Sequence, residues 1–132
     1  MKRKLTLVTL IALAWSSLAF CGEIHDAAKA GDLEKVKALL KANPDLVSSK
    51  DNHLDTPLFL AAQYGRKDVA EILLDYKANV NAKDAIQFQP LHRAAGNGNK
   101  EVVELLLTNK ADANARDGSG DTRCIAQLKQ VI

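Results

Sequence analysis

The stretch from Gln89 to Asp117, QPLHRAAGNGNKEVVELLLTNKADANARD, nearly repeats the stretch from Thr56 to Asp84, TPLFLAAQYGRKDVAEILLDYKANVNAKD. At an offset of 33, Pro57 meets Pro90, Leu58 meets Leu91, and Ala61 and Ala62 meet Ala94 and Ala95. Gly65 meets Gly98, Val69 meets Val102, and Leu73 and Leu74 meet Leu106 and Leu107. Ala78, Asn81 and Asp84 likewise meet Ala111, Asn114 and Asp117. A fixed period of this length signals stacked supersecondary units, each too small to bury its own apolar face.

The template extends in both directions. In IHDAAKAGDLEKVKALLKANPDLVSSKD, Ala27, Ala28 and Gly31 fill the slots of Ala61, Ala62 and Gly65 at an offset of 34. Asp51 returns to an offset of 33 from Asp84, so one extra residue sits between Gly31 and Asp51. KANPDLV is the place for it, because Pro44 ends a helix and lengthens the loop. Forward, DGSGDTRCIAQLKQVI begins a fourth copy and stops after about one helix.

Each copy follows one physical grammar. Thr56 caps a short helix and Pro57 suits its first position. The paired alanines let a neighbouring helix approach closely, and Gly65 ends the element. KDVAEILLDY reads as a second, amphipathic helix with Val69, Ile72 and Leu73 on one face. KANVNAKD is then a turn and loop whose asparagines suit local backbone bonding.

TPLFLAA, PLHRAA, VVELLL and ADANARDGSG resemble ankyrin repeats over roughly residues 23–132. The resemblance implies an all-α solenoid of about three helix pairs, at 22–51, 52–84 and 85–117, plus a truncated fourth at 118–132. It also implies a groove lined by the first helices and the loop tips, and a role as a protein-binding scaffold without catalysis of its own. The repeat motif is carried by Thr56, Pro57, Leu58, Ala61, Ala62 and Gly65, and again by Pro90, Leu91, His92, Ala94, Ala95 and Gly98. The sequence departs from the family pattern at several points. Leu54 and Gln87 stand where a turn glycine is usual, and Gln89 replaces the capping threonine. The last copy lacks the proline and the alanine pair, which makes it a weak cap.

The N-terminus is of another material. Lys2, Arg3 and Lys4 precede 16 residues without a charge, Leu5 to Phe20, and small residues follow before Glu23. This is the layout of a secretory signal peptide over residues 1–21, cut after Ala19 or Cys21, and an N-terminal signal helix is expected. The expectation is therefore an exported, periplasmic or secreted chain. The alternatives are an uncleaved membrane anchor, or a lipidated Cys21 reached through LAFC. The formal net charge is +2, but setting aside the three N-terminal cations leaves 15 basic against 16 acidic residues. The body thus has no basic excess to hold nucleic acid. Two cysteines, Cys21 and Cys124, cannot build a disulfide scaffold.

Chemistry is scarce. His25 and His92 share one repeat slot with Phe59 between them, and the resemblance assigns that histidine to hydrogen bonds between loops. No cysteine or histidine spacing fits zinc, and Cys124 has no implied base, so no metal, cofactor or catalytic residue is expected. GNGN at 96–99 is a helix-ending turn matched by QYGR, not a phosphate loop. The positions the fold leaves free are the informative ones. Tyr64, Ile86 and Phe88 are expected to centre a protein-binding site, with His53, Asp55, Arg93, Asn97 and Asp121 around it. A second reading has Phe88 folding back onto the neighbouring loop. A monomer binding one protein partner of unknown identity is expected. An inhibitor or immunity-type protein that blocks a partner enzyme is the alternative, and a small hydrolase or a truncated remnant are more distant ones.

Overall fold

The computed structural model describes residues 22–116, and within them the chain is helical, with no strand. Helix α1 runs over 22–30 and α2 over Leu33–Ala42, followed by a 3-10 turn at Pro44–Ser48. Then come α3 (Pro57–Gln63), α4 (Lys67–Asp75), α5 (Pro90–Gly96) and α6 (Lys100–Thr108). Helix α3 packs on α4 and on α5, α5 packs on α6, and α4 lies between α2 and α6. The pairs are therefore stacked side by side in sequence order. The signal-peptide segment, both cysteines and the partial fourth copy lie outside the described residues.

The repeat signature becomes the core. All six paired alanines (Ala27, Ala28, Ala61, Ala62, Ala94 and Ala95) are buried. So are Leu58 and Leu91 in the first helices and Leu39, Leu73 and Leu106 in the second helices. Small residues on the first helices let the pairs come close, so each pair buries its apolar face on the next. The extra residue of the first copy is taken up after Ala42. Asn43 Oδ1 accepts from the Asp45 amide at 3.1 Å, and the 3-10 turn buries Leu46 and Val47.

Threonine and proline start α3 as the sequence indicates: Thr56 Oγ1 accepts from the Phe59 amide at 3.2 Å. Gln89, in the same slot of the next copy, gives α5 no side-chain cap, and its Oε1 is buried without a partner. Its backbone amide instead donates to Nδ1 of His92 at 3.0 Å.

Polar ladders tie the pairs together. Arg66 Nε donates to the Lys29 carbonyl at 3.0 Å. Asn99, in the equivalent place, donates to the Ala62 carbonyl at 3.0 Å. Each satisfies the open carbonyls at the end of the preceding first helix. Gly65 is needed for this, since it has φ of +67° and a Cβ there would lie 2.9 Å from Asn99 Oδ1. Helices α4 and α6 end in left-handed residues that are not glycine, Lys77 and Lys110, at φ of +68° and +69°. The Lys77 amide reaches the Leu74 carbonyl and the Ala78 amide reaches the Leu73 carbonyl, a Schellman closure.

Candidate functional site

Two loop tips carry the exposed, non-repeating residues. In each, an aspartate organises the turn by taking two backbone amides on one oxygen. Asp51 Oδ1 accepts from His53 at 2.8 Å and from Asp55 at 3.0 Å. Asp84 Oδ1 accepts from Ile86 at 2.9 Å and from Phe88 at 2.8 Å. The tips are joined by a bond from the Ala85 amide to the His53 carbonyl at 3.0 Å. Both turns need a left-handed residue, and Leu54 and Gln87 supply it at φ of +63° and +67°. The turn geometry survives the missing glycines, at a conformational cost.

Arg93 reaches the second tip from α5. It stands where the previous copy has Leu60. Its Nη2 is 3.5 Å from Asp84 Oδ2, and Asp84 is buried. Its guanidinium carbon lies 4.6 Å from the Phe88 ring centroid and 5.5 Å from that of Phe59. Phe88 also meets His92 edge-on at 5.5 Å. Phe88 is thus half-buried against Arg93 and His92 of its own copy. Phe59, one copy earlier, joins the cluster from beneath and is buried.

The other sequence-selected residues divide. Ile86 is 56% exposed and Tyr64 41% exposed. The Lys29 ammonium lies 5.4 Å from the Tyr64 ring centroid. His53 is exposed at the first tip. Asn97 is exposed but engaged, since its Nδ2 donates to the Gln63 carbonyl at 2.7 Å. Asp55 accepts on its backbone carbonyl from His25 Nε2 at 2.9 Å. Burial holds its carboxyl above the ordinary value of 3.8, with Asp51 and Asp84 adding to the rise while His53 and Arg93 oppose it. Asp121 lies outside the described residues.

His25 and His92 are structural in this arrangement. His25 reaches the second copy's loop at Asp55, and His92 Nε2 pairs with the Ala115 carbonyl at 3.0 Å. Among the described residues no three histidines, cysteines or carboxylates converge as a metal site. No described helix is long and apolar enough to cross a membrane. What the cluster offers chemically is recognition: a cation held between aromatic rings, an ionisable carboxyl short of donors, and apolar side chains standing in solvent.

Sequence reasoning missed Phe59, Asp84 and Lys29 as members of this surface. The signal available was register. Phe59 breaks the histidine slot, and Arg93 follows in a variable slot held by Asp26 and Leu60 in the earlier copies.

The comparisons with known proteins agree with this architecture. A family model described as ankyrin repeats (3 copies) matches residues 24–117. Ankyrin repeat domain-containing protein 13C-B of Xenopus laevis is 37% identical over 62 residues, covering 47% of this chain and 12% of that protein. The human ankyrin repeat domain-containing protein 13C is 36% identical over 62 residues, covering 47% of this chain and 11% of that protein. Serine/threonine-protein kinase VIK of Arabidopsis thaliana is 42% identical over 53 residues, 40% of this chain and 12% of that protein. The chain thus matches only about an eighth of each relative's length. In sequence order, packing and motif alike, the chain belongs to the ankyrin-repeat family, whose members are protein-binding modules.

Proposed function

We propose that the chain is an exported scaffold that binds a protein partner through the face bearing Tyr64, Ile86 and Arg93, and that it catalyses no reaction itself. The observation that carries this reading is the Arg93 cluster. The Arg93 guanidinium lies against Phe88 and Phe59, and Ile86, two residues before Phe88 in the same tip, is 56% exposed. Among the described residues Arg93 Nε is buried without a hydrogen-bond partner, so the cluster carries a cost to the fold, and exposed Ile86 and Tyr64 give a partner apolar surface to cover. The mechanism is preorganised recognition, in which Asp51 and Asp84 fix the tips before a partner arrives and little ordering entropy opposes binding. Export is supported by the basic start and the 16 uncharged residues after it.

Affinity capture with wild-type and Ile86→Ser chains tests the binding face. A captured partner is expected to be weakened by about tenfold or more in the variant, and retained by a Glu104→Gln control. Equal capture by both variants, with equal melting, refutes the face. For export, the expected product is a chain outside the cytoplasm whose mass places its start after Ala19 or Cys21. A full-length chain confined to the cytoplasm refutes it.

A further inference from the structure

Asn97 and Gly98 form the one Asn-Gly dipeptide in the chain. In that dipeptide the glycine nitrogen can attack the side-chain amide before it, because glycine has no Cβ to obstruct the approach and turns freely. Both residues are exposed. They lie at the C-terminal end of α5, where the third copy meets the second.

The fold holds the dipeptide in an unreactive geometry. Asn97 Nδ2, the leaving group of such an attack, donates to the Gln63 carbonyl of the second copy at 2.7 Å. The Gly98 amide, the attacking group, donates to the Ala95 carbonyl at 3.1 Å. Asn97 has ψ of 1°, so the Gly98 nitrogen eclipses the Asn97 nitrogen and is turned away from Cβ. Closing a succinimide ring through Cβ and Cγ therefore requires the helix end to rotate and both hydrogen bonds to break. Asn99 guards the same boundary, with Nδ2 donating to the Ala62 carbonyl at 3.0 Å and lying 3.4 Å from that of Gln63. These are exposed or half-exposed bonds across a single boundary, the kind that opens locally without global unfolding.

We propose that Asn97 and Gly98 are a modification site that the stack keeps latent, and that it converts when the boundary between the second and third copies opens. The Gly98 nitrogen then attacks Asn97 Cγ and gives up its proton, the Cγ–Nδ2 bond breaks, and ammonia leaves. Water opens the succinimide at either carbonyl, giving aspartate or isoaspartate, and no other reactant is needed. Neither product restores the boundary. A carboxylate has no hydrogen to give the Gln63 carbonyl. It also places negative charge at the C-terminal end of α5, where the helix dipole is already negative. Isoaspartate further lengthens the main chain by a methylene at the helix end. An opening is thereby recorded covalently, and the next opening becomes easier. The inference does not depend on which face binds a partner.

The test incubates the full chain at neutral pH in native buffer and in guanidinium chloride, then reads the tryptic peptide of residues 94–100 by mass spectrometry. Conversion appears as the mass gain of amide to acid at Asn97, with isoaspartate as a separately eluting isomer. It is expected to be at least about tenfold faster in the unfolded chain, as for a native boundary that is open less than about a tenth of the time. Asn99→Ala removes the neighbouring bonds and is expected to speed conversion in native buffer by about fivefold, the effect of one lost hydrogen bond. Fresh Asn97→Asp is expected to melt below Asn97→Ala, since both lose the bond to Gln63 and only the aspartate adds charge. Equal conversion in native buffer and denaturant, a wild-type rate in Asn99→Ala, or Asn97→Asp melting at or above Asn97→Ala overturns the proposal.

Discussion

Replacing Gln87 by glycine is expected to stabilise the protein, and the size follows from the backbone. Gln87 sits at φ of +67° in an exposed loop tip, close to the +67° and +70° of Gly65 and Gly98 elsewhere in the same stack. A residue with a Cβ spends about 1–2 kcal/mol in that conformation. Glycine removes the strain but adds about 0.4–1 kcal/mol of unfolded-chain entropy. The balance is a gain of roughly 0.5–1 kcal/mol. The gain is not offset by lost packing, since the Gln87 side chain is exposed and its amide bond to the Asp84 carbonyl is made by the backbone. For a domain of this size the melting temperature is expected to rise by about 2–8 °C, read by circular dichroism at fixed protein concentration. Lys77→Gly and Lys110→Gly, at φ of +68° and +69°, are expected to add similar increments, being far enough apart to act independently. The converse substitution, Gly65→Ala, is expected to lower it, because it meets the same strain and a Cβ 2.9 Å from Asn99 Oδ1. A Gln87→Gly chain that melts at or below wild type, with Gly65→Ala neutral, refutes the reasoning.

Three further substitutions probe the caps and the charged cluster. Gln89→Thr is expected to gain about 1 kcal/mol by recreating the Thr56-type cap and removing a buried, unbonded Oε1; an unchanged urea midpoint counts against it. Asp84→Ala strips the acceptor from two tip amides and orphans Arg93, so a loss of about 2–4 kcal/mol is expected, and a loss below about 0.5 kcal/mol contradicts the geometry. Asp55→Asn is expected to stabilise at neutral pH and not in acid. The folded carboxyl sits above 3.8, so ionisation penalises the fold once pH passes that value, and the penalty is complete above the folded value. Because the group is largely solvated, the gain is under about 1 kcal/mol. A gain that persists near pH 3 means that charge is not its cause.

Much of the fold was legible because stacking imposes a period on the residues that make it. The alanine pairs and the leucines repeat in sequence and are buried in the structure, and Thr56 caps α3 as its residue type indicates. The ladder from Arg66 to Lys29 and from Asn99 to Ala62 was not legible. Different side chains do the same work there, so no residue type recurs to betray it. Lys77 and Lys110 hide for a related reason, since a left-handed helix end occupied by lysine carries none of the compositional signal of glycine. In the candidate site, Ile86 and Phe88 carry equal apolar weight as sequence. The structure separates them through the turn organised by Asp84, which leaves Ile86 in solvent and brings Phe88 against Arg93.

The departures from the repeat are physically more informative than the repeat itself. Phe59 in the second copy breaks the histidine slot of His25 and His92, and Arg93 in the third fills the variable slot next to it, held by Asp26 and Leu60 in the other copies. In the fold those two residues meet across the boundary between the copies, with Phe88 also against the guanidinium. In a linear stack, each copy is stabilised by its own elements and by its immediate neighbours. A change at one boundary is therefore paid locally, and compensating partners must lie in the same copy or the next. That locality explains why the non-repeating residues gather at the loop tips and the facing first-helix positions. There a side chain touches a neighbour without disturbing the alanine layers that set the spacing. It also separates the requirements of folding from those of recognition. The column of alanines and leucines specifies the stack, while Leu54, Ile86, Gln87 and Arg93 vary the surface at modest conformational cost.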